Sequence, residues 1–166
     1  MAKTGVAGGG GRQMSGIIKF RAWDKESKKI RKINSIAFDG SGNIKLVNMW
    51  GYDLIERKDI IVQRETNVEL VRFTGLSDKN GKEIYEGDFI NLINADGKSI
   101  NVVCKFGTVR REIFENTVDI TGFYFELSNG RKTFPIVNNY LGKHDLEIFE
   151  VIGNIYENLE LMEVDK

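Results

Sequence analysis

From residue 17 onward the apolar positions recur with a period of two, the spacing of strands that bury one face. In Ile17 to Trp23, Ile18, Phe20 and Ala22 fall on one side and Lys19 and Arg21 on the other. Ile36 and Phe38 lead into Asp39-Gly40-Ser41-Gly42-Asn43, and Ile44, Leu46 and Val47 lead out, which predicts a hairpin. Phe89 to Asn94 and Ser99 to Phe106 flank Asp96-Gly97, a pattern that predicts a two-residue turn and sets Ile93 opposite Ile100. Phe123 to Leu127 and Lys132 to Phe134 flank Asn129-Gly130, which sets Phe125 opposite Phe134. Both dipeptides suit turns with positive φ at both central residues. A further strand pattern runs from Glu147 to Tyr156. The fold class predicted is all-β, a mostly antiparallel sandwich or partly closed barrel of several hairpins, with one or two short helical segments. Residues 53–64 and 135–141 are the stretches able to hold a helical turn or two, Pro135 suiting the first turn of the second.

Residues 1–13 carry four consecutive glycines and read as a flexible segment ahead of a natural start at Met14, leaving 14–166 as a single domain. The glycines are not followed by Lys-Ser/Thr or a helix pattern, so a phosphate loop is set aside. With 41% hydrophobic and 29% charged residues, the 166-residue chain supports one packed core under a solvated surface. Its 24 basic and 24 acidic residues balance. Without Lys3 and Arg12 the domain holds 22 against 24, a charge of −2, which argues against a surface built throughout for nucleic acid. No apolar run approaches the roughly 20 residues that cross a bilayer, and no signal peptide is visible, so the expected location is the cytoplasm, with no membrane partner.

Cys104 and His144 are the only residues of their kinds. An internal disulfide and a multi-Cys/His metal site are therefore excluded by arithmetic. Cys104 alternates with Ile100, Val102 and Phe106 and reads as a small core residue; His144 lies in the polar stretch Gly142-Lys143-His144-Asp145. No catalytic pair, cofactor motif or metal site is expected. Asp78-Lys79-Asn80-Gly81-Lys82-Glu83 alternates carboxylates around a glycine, but its lysines oppose a dication and a turn is the better reading. Asp78, Glu83, Glu86 and Asp88 form an acidic cluster of the kind metal-dependent hydrolases use, here leading straight into a strand. Lys25, Lys28, Lys29, Arg31 and Lys32, near Lys19, Arg21 and Trp23, form a basic stretch. Cations beside an exposed ring suit a nucleic-acid strand; a solvated loop with Trp23 in the core is the plainer alternative. The candidate contact residues for nucleic acid or a partner are Lys28, Lys29, Arg31, Lys32, Trp50 and Tyr52, with Trp50, next to Met49, weighted toward the core. The C-terminal stretch is acidic, with Asp145, Glu147, Glu150, Glu157, Glu160, Glu163 and Asp165, and is suited to complement the basic stretch within the chain or between subunits.

Three blocks resemble the YopX-like proteins: Ile18-Lys19-Phe20-Arg21-Ala22-Trp23-Asp24, the run from Phe73 to Asp88, and Phe149-Glu150-Val151-Ile152-Gly153-Asn154-Ile155-Tyr156-Glu157-Asn158. They cover essentially residues 16–162, and Leu159 stands where the family pattern has proline. The resemblance implies a phage or prophage protein, β-rich and self-associating, with no activity, cofactor or catalytic residue to carry over. The function expected is a non-enzymatic accessory module that binds a host or phage protein or its own copies. The alternatives are a nucleic-acid-binding β-barrel and, remotely, a metal-dependent hydrolase.

Overall fold

The computed structural model describes residues 18–93, 97–133 and 148–162. Eleven strands are described: β1 (Phe20–Asp24), β2 (Lys29–Phe38), β3 (Ile44–Asp53), β4 (Lys58–Arg64), β5 (Val68–Ser77), β6 (Glu83–Tyr85), β7 (Asp88–Ile93), β8 (Ser99–Ile113), β9 (Asn116–Leu127), β10 (Lys132–Thr133) and β11 (Phe149–Asn154). They form two antiparallel sheets, ordered β4-β3-β2-β1-β5-β6 and β10-β9-β8-β7-β11. The all-β class is as predicted, and both ladders are open. A 3₁₀ turn at Leu159–Met162 is the helical element among the described residues.

The first sheet has to curl. β4 and β5 are four strand positions apart in the order, about 19 Å in a flat sheet. Yet only Glu65, Thr66 and Asn67 join them, and the four peptide steps from Arg64 to Val68 span at most about 14 Å. The sheet therefore wraps until edge strand β4 returns to the end of β1, where Arg64 Nε donates to Asp24 Oδ1 at 3.2 Å. A register shift between Ile33 and Ser35 in β2 supplies local bending. Inside the curl Ala22, Val47 and Met49 pack with Val62, Val68 and Leu70. The second core gathers Ile90, Val102, Cys104, Phe125, Phe149 and Val151, and Ile84 of β6 joins it, so the first sheet contributes to the core of the second.

Two predicted registers shift by one. Ile100 pairs with Leu92, and Ile93 with Ser99; Phe125 pairs with Thr133 rather than Phe134. The second shift follows from its loop. Leu127 N donates to Arg131 O and Gly130 N to Leu127 O, which makes a three-residue loop with positive φ at Gly130 alone. Such a turn-plus-bulge adds one residue over the two-residue turn expected. Residues 53–64 are not helical: the Asp53 carboxylate accepts the Ile55 and Glu56 N–H groups, closing a turn that feeds β4. Ile18 precedes β1 and is 85% exposed, so it is no part of the buried face expected for it. Asp96, the helical reading of 135–141, the glycine-rich segment, His144 and Glu147 lie outside the described residues. A hairpin with no sequence warning joins β8 to β9 at Phe114-Glu115, with φ of 48° and 66°.

Candidate functional site

With Ala22 and Asp24 buried inside the curl, strand alternation turns Arg21 to the opposite face of β1. Its register partner there is Lys32 of β2. In β3 the buried position is Met49, so Trp50 points outward and is 48% exposed, against Ile61 of β4. The expectation weighting Trp50 toward the core is corrected by this one-residue phase: Met49 occupies the inner site. Tyr52, two residues on, is also exposed.

Arg21, Lys32 and Trp50 border a cleft of about 380 Å³, and Tyr52 lies outside its lining. Lys19, Arg21, Lys32 and Lys82 supply its cations, Glu83 its carboxylate, and Trp50 and Tyr85 its polar-edged rings. Its floor is tightly wired. The Arg21 guanidinium lies 3.7 Å from the centre of the Tyr85 ring, and its Nη2 donates to both Asp88 oxygens at 3.0 and 2.8 Å. Asp88 also accepts the Tyr85 N–H at 2.8 Å. Burial pushes the Asp88 carboxyl up, more than the Arg21 charge pulls it down. Glu83 accepts from Lys19 Nζ at 2.7 Å and from the Tyr85 hydroxyl at 2.8 Å, and these two hydrogen bonds hold it below the usual carboxylate range. Burial and the neighbouring Glu83 push the Tyr85 phenol up, so it stays protonated at neutral pH and acts as a donor. Lys82 Nζ reaches Val151 O at 3.2 Å. Lys32 is exposed and makes no ion pair among the described residues.

The basic stretch is divided by alternation. Arg31 turns inward, its Nε donating to Asp24 at 3.3 Å, its Nη2 to Ser27 Oγ at 3.2 Å and its Nη1 to Trp50 O at 3.4 Å. Lys32 turns to the cleft. Lys28 and Lys29 are exposed at the β1–β2 turn and do not border the cleft. The structure thus brings Lys32 and Trp50 together among the predicted contacts, leaves Arg31 as a fold-holding residue, and adds Lys19, Arg21, Lys82 and Tyr85. Lys19 and Arg21 were legible as the polar side of the alternating run from Ile17 to Trp23. Lys82 and Tyr85 arrive from fifty residues further along, and no local pattern could pair them with Lys32. Trp23 is neither core nor free surface: its ring stacks on Tyr156 at 5.3 Å.

The acidic cluster disperses. Asp78 Oδ1 accepts the Asn80 and Lys82 N–H groups, each at 2.8 Å, and Oδ2 accepts the Val151 N–H at 3.0 Å. Glu86 pairs with Arg72 at 3.3 Å. With Glu83 and Asp88 already engaged, the four carboxylates serve four different contacts, and the Asp78–Glu83 segment is a turn. Among the described residues no three His, Cys, Asp or Glu side chains are grouped to hold a metal ion. Cys104 is buried, and burial pushes its thiol up, opposite to what a nucleophile needs. The acidic C-terminal stretch does meet the basic one in part: Glu157 accepts the Ile30 N–H at 2.9 Å.

Fold and site together define an all-β protein of two antiparallel sheets, with a cation-rimmed aromatic cleft on the outer face of the curled one. The family model described as YopX protein matches residues 19–163, and the chain belongs to that family. It is similar in structure to protein EF1440 from Enterococcus faecalis, with 22% identity, a TM-score of 0.50, and coverage of 89% of this chain and 99% of that one; at this identity the likeness is one of fold. No curated protein matches the sequence. No helix among the described residues is long and apolar enough to cross a membrane.

Proposed function

We propose that this chain is a non-enzymatic binding module, in the phage or prophage setting its family resemblance implies, and that it binds through the cleft face of the curled sheet. The observation carrying this reading is Trp50, half-exposed and next in line to exposed Tyr52, at the rim of a cleft with four cationic side chains. An exposed aromatic beside a concave surface is the usual anchor of recognition. Every acid of the hydrolase alternative is meanwhile held in a structural contact. The test is capture from host lysate by the immobilised protein and by a Trp50→Ala/Tyr52→Ala variant. A component retained by the first and lost by the second supports the reading; equal retention by both removes this face from consideration.

Self-assembly is a second reading, with its own observation. From Lys105↔Tyr124 to Ile113↔Asn116, β8 and β9 pair only with each other among the described residues, forming an arm of roughly 27 Å. Its tip residue Phe114 is 94% exposed. Changing Phe114→Asn with Glu115→Gly keeps a two-residue turn and removes the ring. Concentration-dependent sedimentation that vanishes in this variant supports assembly through the arm, whereas a wild-type chain that stays monomeric ends the reading.

A further inference from the structure

We propose that the cleft binds single-stranded nucleic acid, with a base stacked on Trp50 and the adjoining phosphate held between Lys32 and Arg21; the proposal rests on the binding-module reading and names its ligand. Arg21 and Lys32 are direct cross-strand partners. Like charges in that position repel, and a strand pair keeps them at a cost unless an anion lies between. Asp88 answers Arg21 from below the floor, but the charge of Lys32 is unanswered among the described residues. Lys19 is matched by Glu83, Arg21 by Asp88 and Lys82 by the nearby Asp78, so four positive charges face three negative ones. The excess, which is the charge of Lys32, favours an anion.

The aromatic positions narrow the anion to one that carries flat rings. Trp50 is half-exposed, and an indole face accepts any base without sequence preference. Tyr52 lies on the same face two residues on, about 6.7 Å along the strand, and offers a second ring for a neighbouring base. Arg21 is already fixed by its two contacts to Asp88 and by the Tyr85 ring, so little side-chain freedom is lost when it meets a phosphate. A volume of about 380 Å³ is at the small end of ligand clefts, suited to one nucleotide unit of a strand that runs on across the sheet. A base paired within a duplex could not present its face to Trp50, which selects the single strand over the double helix. Balanced overall charge confines the attraction to this face and implies few phosphate contacts.

The experiment is fluorescence anisotropy of the full chain with labelled dT and U oligonucleotides, a duplex of the same length, and a labelled mononucleotide. Single strands are expected to bind more tightly than the duplex and the mononucleotide. Two or three phosphate contacts predict a slope of log affinity against log salt of about −1.4 to −2. Trp50→Ala is expected to weaken binding about 5- to 150-fold, the range for loss of one stacked base, with Trp50→Phe recovering most of it. Lys32→Ala is expected to flatten the slope by about 0.7, and Lys28→Ala/Lys29→Ala to leave affinity unchanged. Both Trp50 and Lys32 are exposed, so an unchanged thermal midpoint is expected to separate site effects from misfolding. No single-strand binding at low salt, equal or tighter duplex binding, a mononucleotide that binds as well as the oligomer, or indifference to both Trp50→Ala and Lys32→Ala each overturns the proposal. If oligonucleotides fail while a lysate protein is still lost from the Trp50→Ala/Tyr52→Ala variant, the ligand class falls and the binding reading stands. If both fail, so does the face.

Discussion

Two buried carboxylates hold this chain together at the residue scale. Asp24 is fully buried and collects Ser27 Oγ at 2.7 Å, the Glu26 N–H, Arg31 and Arg64. It ties the β1–β2 turn to the returning edge of the curled sheet. Burial raises its pKa, but the Ser27 hydrogen bond and Arg64 outweigh that and leave it below the ordinary value. Asp78 behaves alike: burial is outweighed by the backbone donors of Val151, Lys82 and Asn80. A carboxyl lowered in the fold contributes stability above its unfolded pKa, about 3.9, and loses it as pH falls through the folded value. Asp88 has the opposite sign: its raised pKa means that protonation favours the fold and partly offsets the loss. Asp78→Asn keeps the size but cannot accept the Val151 N–H at Nδ2. We expect it to cost about 1–2 kcal/mol at pH 7, and to flatten the fall in stability below about pH 4. Urea midpoints for both proteins between pH 7 and pH 2.5 check this; parallel curves would remove Asp78 from the acid response.

Turns decide more than strands do at the scale of elements. The chain uses one loop three times: Asp39 N with Asn43 O, Asp78 N with Lys82 O, and Leu127 N with Arg131 O, each closed by a left-handed glycine. Asp-Gly and Asn-Gly composition revealed where such loops fall, because few other residues adopt that φ at low cost. It did not reveal the third loop residue, and that residue shifts the register by one. At Phe114-Glu115 no glycine or asparagine marked the turn, and both residues hold positive φ. Sparsely populated conformations of this kind cost about 1–3 kcal/mol each, on an arm whose two strands, among the described residues, pair only with each other, a marginal arrangement. Relieving the strain with Phe114→Asn and Glu115→Gly is expected to slow amide exchange in Thr108–Ile120 about tenfold. The global unfolding midpoint should move little, since the arm opens locally. Unchanged exchange would mean that the turn carries no strain.

The two sheets meet at Gly87 at the scale of the whole molecule. Its N–H donates to Cys104 O at 2.7 Å and its carbonyl accepts the Ile155 N–H at 2.8 Å, joining β6, β8 and the segment after β11. Its φ is +80°, and a Cβ there would stand 3.0 Å from Ile155 and 3.1 Å from Tyr156. Gly87→Ala is expected to cost about 2–4 kcal/mol, from left-handed strain together with overpacking. It should also disturb the Trp23–Tyr156 stack, since Tyr156 has to yield. Thermal unfolding with near-ultraviolet circular dichroism reads both effects, and a midpoint within a degree of wild type would show the seam to be looser than its contacts imply.

The sequence by itself determined the all-β class, most strands, the positions of the marked turns, the buried role of Cys104 and the family. These follow from local chemistry: period-two alternation, the φ tolerance of glycine, and motif blocks read directly along the chain. Tertiary structure alone decided that Met49 rather than Trp50 faces the core. Alternation separates the two faces of a strand, but a one-residue change of phase exchanges them, and only the partners across the sheet fix the choice. The same holds for the cleft. Lys19 just before β1, Arg21 of β1, Lys32 of β2, Trp50 of β3 and the Lys82–Tyr85 segment converge because β3, β2, β1, β5 and β6 lie side by side in one sheet, with the Asp78–Lys82 turn folding β6 back onto β5. Pairing between distant strands, which no local pattern records, built the site.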